Sequence, residues 1–203
     1  NYMAEIKKLT GREYHLFNYY GAPDAERMII AMGSVCEAIE ETVDYMNAQG
    51  EKVGLLTVHL YRPFSIEHFF KYIPKTVEKI AVLDRTKELG AFAEPLYLDV
   101  KAVFSGKEWQ PTIVGGRCGV GGKDVVPGHI QGIFENLNQD QPKDNFTVGI
   151  VDDITHTSLP FGQDIDPTTA GTTACKFWGL GSDGTVGANK SAISIIGDHT
   201  DMY

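Results

Sequence analysis

Short apolar runs, separated by stretches of helical length, dominate the hydrophobic pattern over the first two-thirds of the chain. The most uniform run is Val53–Leu60, which is apolar at almost every position and shows no alternation with polar residues. A strand without a polar face is typical of a parallel sheet that is covered on both sides. Pro63 then ends the run, because proline cannot continue a central strand. We therefore predict an α/β domain organised around this strand.

Strands and helices are predicted to alternate along this part of the chain. After a polar, helical start at Asn1–Gly11, the pattern of Tyr14–Tyr19 leaves two interpretations open, a short strand or an aromatic packing arm. Further strands are predicted at Glu26–Met32, Lys79–Leu83, Thr112–Val114 and Phe146–Val151, and helices at Val35–Ala48, Ser65–Ile73, Glu94–Phe104 and Pro127–Leu137. This rhythm predicts an open, mostly parallel sheet with helices on both faces.

The character of the sequence changes after the last of these strands. Asp152–Thr173 is rich in Asp, Thr, Pro and Gly and lacks apolar periodicity, which favours a crossing between domains. A second α/β unit is predicted beyond it, with a strand at Ala174–Trp178, a loop at Gly179–Gly187 and a helix at Val186–Ile196. One strand and one helix cannot bury a core alone, so this second α/β unit is expected to be incomplete.

Composition limits the kind of protein. Hydrophobic residues make up 42% of the 203 positions, which is enough for a real core. The formal net charge of −9 argues against non-specific binding of nucleic acid, which needs clustered Lys and Arg. No apolar run has the length of a membrane span and no signal peptide is visible, so a soluble, cytoplasmic chain is expected. The missing initiator Met suggests a fragment or a processed product.

The cysteines and histidines give no metal-binding pattern. The three cysteines, Cys36, Cys118 and Cys175, are far apart, and no Cys-x-x-Cys pair occurs. No His-x-x-x-His pair is present among the six histidines. A Ser/His/Asp relay around His156, within Asp152–Ser158, is conceivable, but no Gly-x-Ser-x-Gly elbow surrounds any serine. Hydrogen bonding within a linker is the favoured interpretation of that stretch.

The strongest chemical signal is the glycine loop, Trp178–Lys190. Gly179, Gly181 and Gly184 fit the spacing Gly-x-Gly-x-x-Gly, after an apolar run and before a predicted helix. Glycines let backbone N–H groups at a helix amino terminus approach a phosphate, and nearby hydroxyls and a lysine add donors. The acidic residue that would bind the ribose falls at the end of the sequence, where Asp198 and Asp201 are poor candidates, and this weakens a dinucleotide site. A phosphate contact and a tight turn required for packing are about equally favoured.

A second candidate is the charged stretch Asp84–Glu88. It follows a predicted strand, and ligands of open α/β sheets bind at the carboxyl ends of the strands. Arg85 and Lys87 could hold an anion there. A solvated loop whose charges pair with one another is the favoured alternative, because surface charge runs are usually solvated.

Several motifs resemble the pyruvate:ferredoxin oxidoreductase family. In chain order they are YYGAPDAER at Tyr19–Arg27, LYRPF at Leu60–Phe64, IAVLDRTKE at Ile80–Glu88, FTVGI at Phe146–Ile150 followed by DDITHTSL at Asp152–Leu159, and ACKFWGLGSDGTVGANK at Ala174–Lys190. They run along essentially the whole chain. The last motif is the most specific, because it is long and unusual in composition.

The resemblance implies a domain organisation and an activity. Residues 1–141 would form a transketolase C-terminal-like domain, 142–172 a linker, and 173–203 the start of a domain like the gamma subunit of 2-oxoacid oxidoreductases. The family oxidatively decarboxylates pyruvate to acetyl-CoA, passes the electrons to ferredoxin or flavodoxin, and works as a homodimer. The resemblance places thiamine diphosphate, magnesium and iron–sulfur clusters outside this segment, whose sequence lacks the matching motifs.

The resemblance also gives the glycine loop a ligand. The family associates the domain that this loop opens with coenzyme A, and the residues carried over to that site are Gly181, Ser182, Asp183, Gly184, Thr185, Asn189 and Lys190. No catalytic or metal-binding residue is expected here, and the isolated segment is expected to be an inactive scaffold for the other domains of the parent enzyme. No nucleic-acid or membrane partner is expected. The alternative is a stand-alone, non-catalytic nucleotide- or phosphate-binding or regulatory α/β module.

Overall fold

The chain divides into two compact units, Asn1–Pro167 and Thr168–Tyr203. The structure is a computed structural model. It describes residues 2–151, 154–163, 165–168 and 171–201. None of the helices in these ranges combines the length and the apolar character that crossing a membrane requires.

The first unit carries a sheet, and its described elements are close to those that the sequence predicts. The strands are β1 (Phe17–Gly21), β2 (Arg27–Ala31), β3 (Val53–Val58), β4 (Lys79–Asp84), β5 (Thr112–Arg117) and β6 (Phe146–Thr147). The helices are α1 (Tyr2–Thr10), α2 (Val35–Ala48), α3 (Ile66–Tyr72), α4 (Pro95–Phe104) and α5 (Pro127–Asn138).

The strand order is β1-β3-β2-β4-β5-β6. All neighbours are parallel except β1 and β3, so the predicted open, mostly parallel sheet is confirmed. The stretch for which two interpretations were open contains the strand β1 rather than a packing arm. The chain passes from β2 to β3 on one side and then places β4 on the other side of β2. Loops that leave β2 and β4 therefore diverge, which makes this the topological switch point of the sheet.

Two apolar layers hold the helices against the sheet, one on each face. Successive side chains of a strand point to opposite faces, so Ile29 and Leu55 pack with α2 and α5. Met28 and Leu56 pack on the opposite face with α3 and α4. Every residue of β3 is buried, which explains the lack of alternation in its sequence. The prediction of helices on both faces is confirmed.

Two predicted strands end early. The run Val53–Leu60 is a strand only to Val58, and the next two amides both donate to the carbonyl of Leu16 instead of continuing the ladder. The run Phe146–Val151 is a strand only over Phe146–Thr147, because it pairs with no more than the last two residues of β5.

The segment after β6 continues the first unit as far as Pro167. The Leu159 amide donates to the carbonyl of Thr147 at 2.9 Å. The ring of Phe161 lies 4.9 Å from the ring of His129, which belongs to α5. A Cβ on Gly128 would overlap the Phe161 ring, so a small residue in α5 admits this segment. Part of the stretch predicted as a linker, residues 160–162, therefore lies against α5.

The second unit contains one described helix, α6 (Thr185–His199), where the sequence predicts Val186–Ile196. The strand predicted at Ala174–Trp178 is wrong, because these residues are exposed and have no regular structure. A strand needs a neighbour for its backbone hydrogen bonds. The described part of this unit contains no other strand that could pair with it.

Candidate functional site

The glycine loop forms an open pocket in front of α6. The pocket has a volume of about 450 Å³. All residues predicted for the anion site line this pocket except Lys190, which is the next residue along α6. The remaining lining comes from Phe177, Gly179 and Val186. The sequence therefore locates a real concavity, built from consecutive residues of one loop and one helix.

Left-handed backbone angles shape the loop. Gly181 and Gly184 have φ angles of +86° and +82°, which glycine adopts without steric cost. Ser182, between them, has φ of +50° although it carries a side chain. Gly184 is the N-cap residue of α6. These turns direct the chain into the helix, whose first two residues, Thr185 and Val186, line the pocket.

The side chain of Asp183 closes the loop on itself. One carboxylate oxygen, Oδ1, accepts hydrogen bonds from the amide and hydroxyl of Thr185, at 3.0 and 2.6 Å. The other, Oδ2, accepts from the Leu180 amide at 2.8 Å. These hydrogen bonds, led by the hydroxyl of Thr185, lower the pKa of Asp183 to about 2. Asp183 therefore fixes the shape of the loop, and its carboxylate is the acceptor for the first amide of α6.

The sequence motif assigns Asp183 to the ligand site and does not by itself predict that its carboxylate fixes the shape of the loop. An Asp two residues before a helix start commonly bonds the backbone just ahead of it, as in an Asx turn. That signal was present in the sequence. It was obscured by the glycines on either side, which suggested that every amide of the loop faces a ligand.

Some donors of the loop are unused. The amides of Val186 and Gly187 have no acceptor among the described residues, whereas the Ala188 amide donates to the Gly184 carbonyl at 3.0 Å. The first amides of a helix have no acceptor within the helix, and the helix dipole favours an anion near them. Asn189 lines the pocket as well, and Lys190 is exposed beside it. These backbone and side-chain donors are of the kind that suits an anionic group.

The charged stretch Asp84–Glu88, which begins with the last residue of β4, separates into different roles. Asp84 is buried, and its carboxylate accepts from the amides of Leu96 and Tyr97, both at 3.1 Å. Lys87 lies 3.8 Å from the buried carboxylate of Glu94. Asp84 is buried and Lys87 pairs with a residue outside the stretch, so the solvated-loop alternative is wrong for these two residues. Arg85 is not paired in this way and lines a cavity of its own.

The stretch considered for a Ser/His/Asp relay is only partly within the described residues. The hydroxyl of Ser158 donates to the Ile150 carbonyl at 2.7 Å and lies 3.2 Å from the hydroxyl of Thr147. These contacts fasten the segment after β6 to the sheet. Asp152 and Asp153 lie outside the described residues.

Two of the cysteines are buried in the first unit. Burial raises the pKa of the Cys36 and Cys118 thiols to about 11, so both are protonated at neutral pH. Within the ranges that the structure covers, no group of three His, Cys, Asp or Glu side chains is arranged to hold a metal ion.

The molecule thus combines an open, mostly parallel α/β domain with a glycine loop at a helix amino terminus. The family model described as pyruvate:ferredoxin oxidoreductase core domain II matches residues 25–130, about half of the chain. The chain belongs to this family.

The whole chain is also similar to curated members. It is 74% identical over 204 residues to the pyruvate-flavodoxin oxidoreductase of Enterobacter agglomerans. It is 59% identical over 201 residues to the pyruvate:ferredoxin oxidoreductase of Moorella thermoacetica. These alignments cover 100% and 99% of the chain, which spans 17% of the length of each relative.

A solved structure of 2-oxoglutarate:ferredoxin oxidoreductase from Magnetococcus marinus, with 2-oxoglutarate, coenzyme A and succinyl-CoA bound, is also similar. The match covers 68% of this chain and 24% of that chain, at 18% identity and a TM-score of 0.44.

Proposed function

We propose that the chain serves as a segment of an enzyme that oxidatively decarboxylates pyruvate to acetyl-CoA and passes the electrons to ferredoxin or flavodoxin. The supporting observation is the 74% identity with a pyruvate-flavodoxin oxidoreductase along the entire chain. A stand-alone module would be expected to match relatives of its own length, whereas this chain spans 17% of the length of that relative. The segment is therefore favoured over an independent regulatory module.

The first unit is a scaffold in this proposal. Its apolar layers fix the sheet, and its buried thiols are protonated at neutral pH. Thiamine diphosphate, magnesium and iron–sulfur clusters supply the decarboxylation and electron-transfer chemistry when bound, and other domains of the parent enzyme hold them. The parent enzyme works as a homodimer in the cytoplasm, and neither nucleic acid nor a membrane is among its partners.

The second unit contributes to the binding of coenzyme A in this proposal. The unused amides of Val186 and Gly187 donate to the oxygens of the cofactor pyrophosphate, as at other helix amino termini. The Asn189 side chain adds a hydrogen bond, and the Lys190 ammonium adds a positive charge. Asp183 acts as a positioning residue, because its hydrogen bonds fix the loop that presents these groups.

The test uses the full-length Enterobacter agglomerans enzyme with its matching segment replaced by these 203 residues. This chimera is expected to oxidise pyruvate in a manner that depends on coenzyme A. The change Lys190→Ala is expected to raise the KM for coenzyme A by about fivefold, which corresponds to about 1 kcal/mol for one exposed ion pair. The KM for pyruvate should stay unchanged, because the lysine acts on the cofactor alone.

The matched control is Lys107→Ala, which removes the same charge from an exposed lysine between α4 and β5. It is expected to change neither KM. Equal effects of Lys190→Ala on both KM values would contradict the coenzyme A assignment and leave the loop as a packing element. A folded chimera without pyruvate turnover would contradict the assignment to the parent enzyme.

A further inference from the structure

A cavity of about 380 Å³ lies at the carboxyl ends of the strands, beside the topological switch point of the sheet. Ser34, from the loop after β2, and Arg85, directly after β4, line it. Cys118 and Gly119, directly after β5, line it as well. Loops that diverge from neighbouring parallel strands create a crevice at such a point, and ligands of open α/β sheets bind there. All of the lining belongs to the first unit, and none of it belongs to the glycine loop.

Two cationic residues, Arg85 and Lys123, line this cavity. Among the described residues, no Asp or Glu oxygen lies within 4.0 Å of a side-chain nitrogen of Arg85 or Lys123. Lys87, two residues after Arg85, is different because it lies beside Glu94. The carboxylate of Asp124 also lines the cavity, and the lining keeps an excess of positive charge.

The backbone of Gly119 holds the Arg85 side chain at this position. The Nε–H of Arg85 points to the Gly119 carbonyl oxygen, at an Nε to oxygen distance of 3.4 Å. Gly119 has a φ angle of +62°, and a Cβ there would lie 3.0 Å from the same nitrogen. The terminal N–H groups of the guanidinium make no hydrogen bond to the described residues, so they are available to a ligand.

The rest of the lining supplies one more donor and an apolar wall. The hydroxyl of Ser34 makes no capping hydrogen bond to α2, although Ser34 stands at the N-cap position. Val35, Val125 and Val126 are the apolar residues of the lining. A molecule that fits this lining has a compact anionic group at one end and an organic part at the other.

We propose that this cavity is a second ligand site, which binds a small phosphate-bearing molecule of the size of a mononucleotide or a sugar phosphate. The guanidinium of Arg85 matches the geometry of phosphate oxygens, and the ammonium of Lys123 adds charge. The valines contact the organic part. The volume stands at the lower end of the range of about 300 to 1,000 Å³ for ligand pockets, which suits a molecule of this size.

The experiment is a titration of the full 203-residue chain, labelled with ¹⁵N and followed by amide NMR spectra. The probes are AMP and ribose 5-phosphate, with adenosine and ribose as their counterparts without phosphate. We expect the amides of Ser34, Arg85 and Gly119 to shift with at least one phosphorylated probe and with neither counterpart. The probe that binds more tightly identifies the organic part. The amides of residues 181–187 report separately on the glycine loop, so failure at one site is distinct from failure at the other.

The double variant Arg85→Gln/Lys123→Gln is expected to weaken binding of the phosphorylated probe by about tenfold or more, since it removes both charge-assisted contacts. The matched control is Lys87→Gln/Lys107→Gln, which removes the same charge from exposed lysines outside the lining and should leave the affinity unchanged. The dispersion of the amide spectra shows that each variant is folded. The proposal is overturned if neither phosphorylated probe shifts these amides at about 10 mM, if adenosine binds as tightly as AMP, or if both double variants bind alike.

Discussion

Two aspartates show how the surroundings of a residue decide its chemistry. Asp84 and Asp183 both accept hydrogen bonds from amides in the first turn of a helix. Asp84 is 5% exposed, and burial raises its pKa despite the two amide hydrogen bonds. Asp183 is exposed, and its hydrogen bonds lower its pKa to about 2. The same structural role therefore gives opposite pKa shifts, because the effect of burial exceeds that of the hydrogen bonds only at Asp84.

The change Asp84→Ala is expected to lower the free energy of unfolding by about 1 to 3 kcal/mol at pH 7, because it leaves the amides of Leu96 and Tyr97 buried without an acceptor. Denaturant unfolding followed by the fluorescence of Trp109 measures the effect in the first unit. Asp140→Ala removes the same charge from an exposed position and should stay within about 0.5 kcal/mol of the original protein. Equal effects of the two changes would contradict this role of Asp84.

The effect of Asp84→Ala depends on pH with a defined sign. Because the pKa of Asp84 is raised on folding from its ordinary 3.8, the folded chain keeps this proton over a pH range in which the unfolded chain has lost it. The difference in unfolding free energy between the original protein and the variant therefore falls as pH rises through that range, and is level above it. Repeating the unfolding measurement from pH 4 upwards checks the sign. A difference that grows with pH would contradict the raised pKa.

At the scale of elements, the sequence predicts helices better than strand ends. The helix Val35–Ala48 has the predicted bounds, because an apolar stripe and a following Gly50 define it locally. Strand β1 could not be decided from its own residues, because a strand is defined by its partner, here β3. Strand β5 runs beyond the predicted Val114, since Gly115 and Gly116 carry no apolar pattern and yet pair with β4.

The two glycines of β5 make room for aromatic rings. A Cβ on Gly116 would overlap the ring of Phe146, and one on Gly115 would lie 2.7 Å from the ring of Tyr97. Gly116→Ala is therefore expected to destabilise the first unit by about 1 to 3 kcal/mol through overpacking, measured by denaturant unfolding. In the control Gly197→Ala, the new methyl meets no atom within 4 Å in α6, so no loss is expected. A fully stable Gly116→Ala variant would show that Phe146 moves aside freely.

At the scale of the whole molecule, the sequence indicates the whole glycine loop but only one residue of the cavity at the switch point, Arg85. The loop is built from consecutive residues, so a local motif reveals it. The cavity brings together Ser34, Arg85 and Lys123, which are far apart in sequence. Their proximity depends on the strand order β3-β2-β4-β5, which hydrophobic periodicity does not specify.

The chain by itself is expected to be inactive. It should not decarboxylate pyruvate even with added thiamine diphosphate, magnesium and coenzyme A, since the described residues offer neither a metal cluster nor an ionised buried thiol. Reduction of an artificial electron-accepting dye measures the turnover, with the chimeric full-length enzyme as the positive control. Any turnover by the chain above the blank would contradict its role as a scaffold.

The antiparallel direction of β1 determines the edge at which the chain enters the sheet. Phe17, the first residue of β1, pairs with Val58, the last residue of β3, so the chain enters the sheet at the carboxyl edge of the parallel strands. It leaves β6 at the same edge, five strand spacings away, or about 24 Å at about 4.8 Å each. The cavity lies between these two attachment points. A molecule bound there contacts the loops after β2, β4 and β5, and so connects three of the strands between these two points.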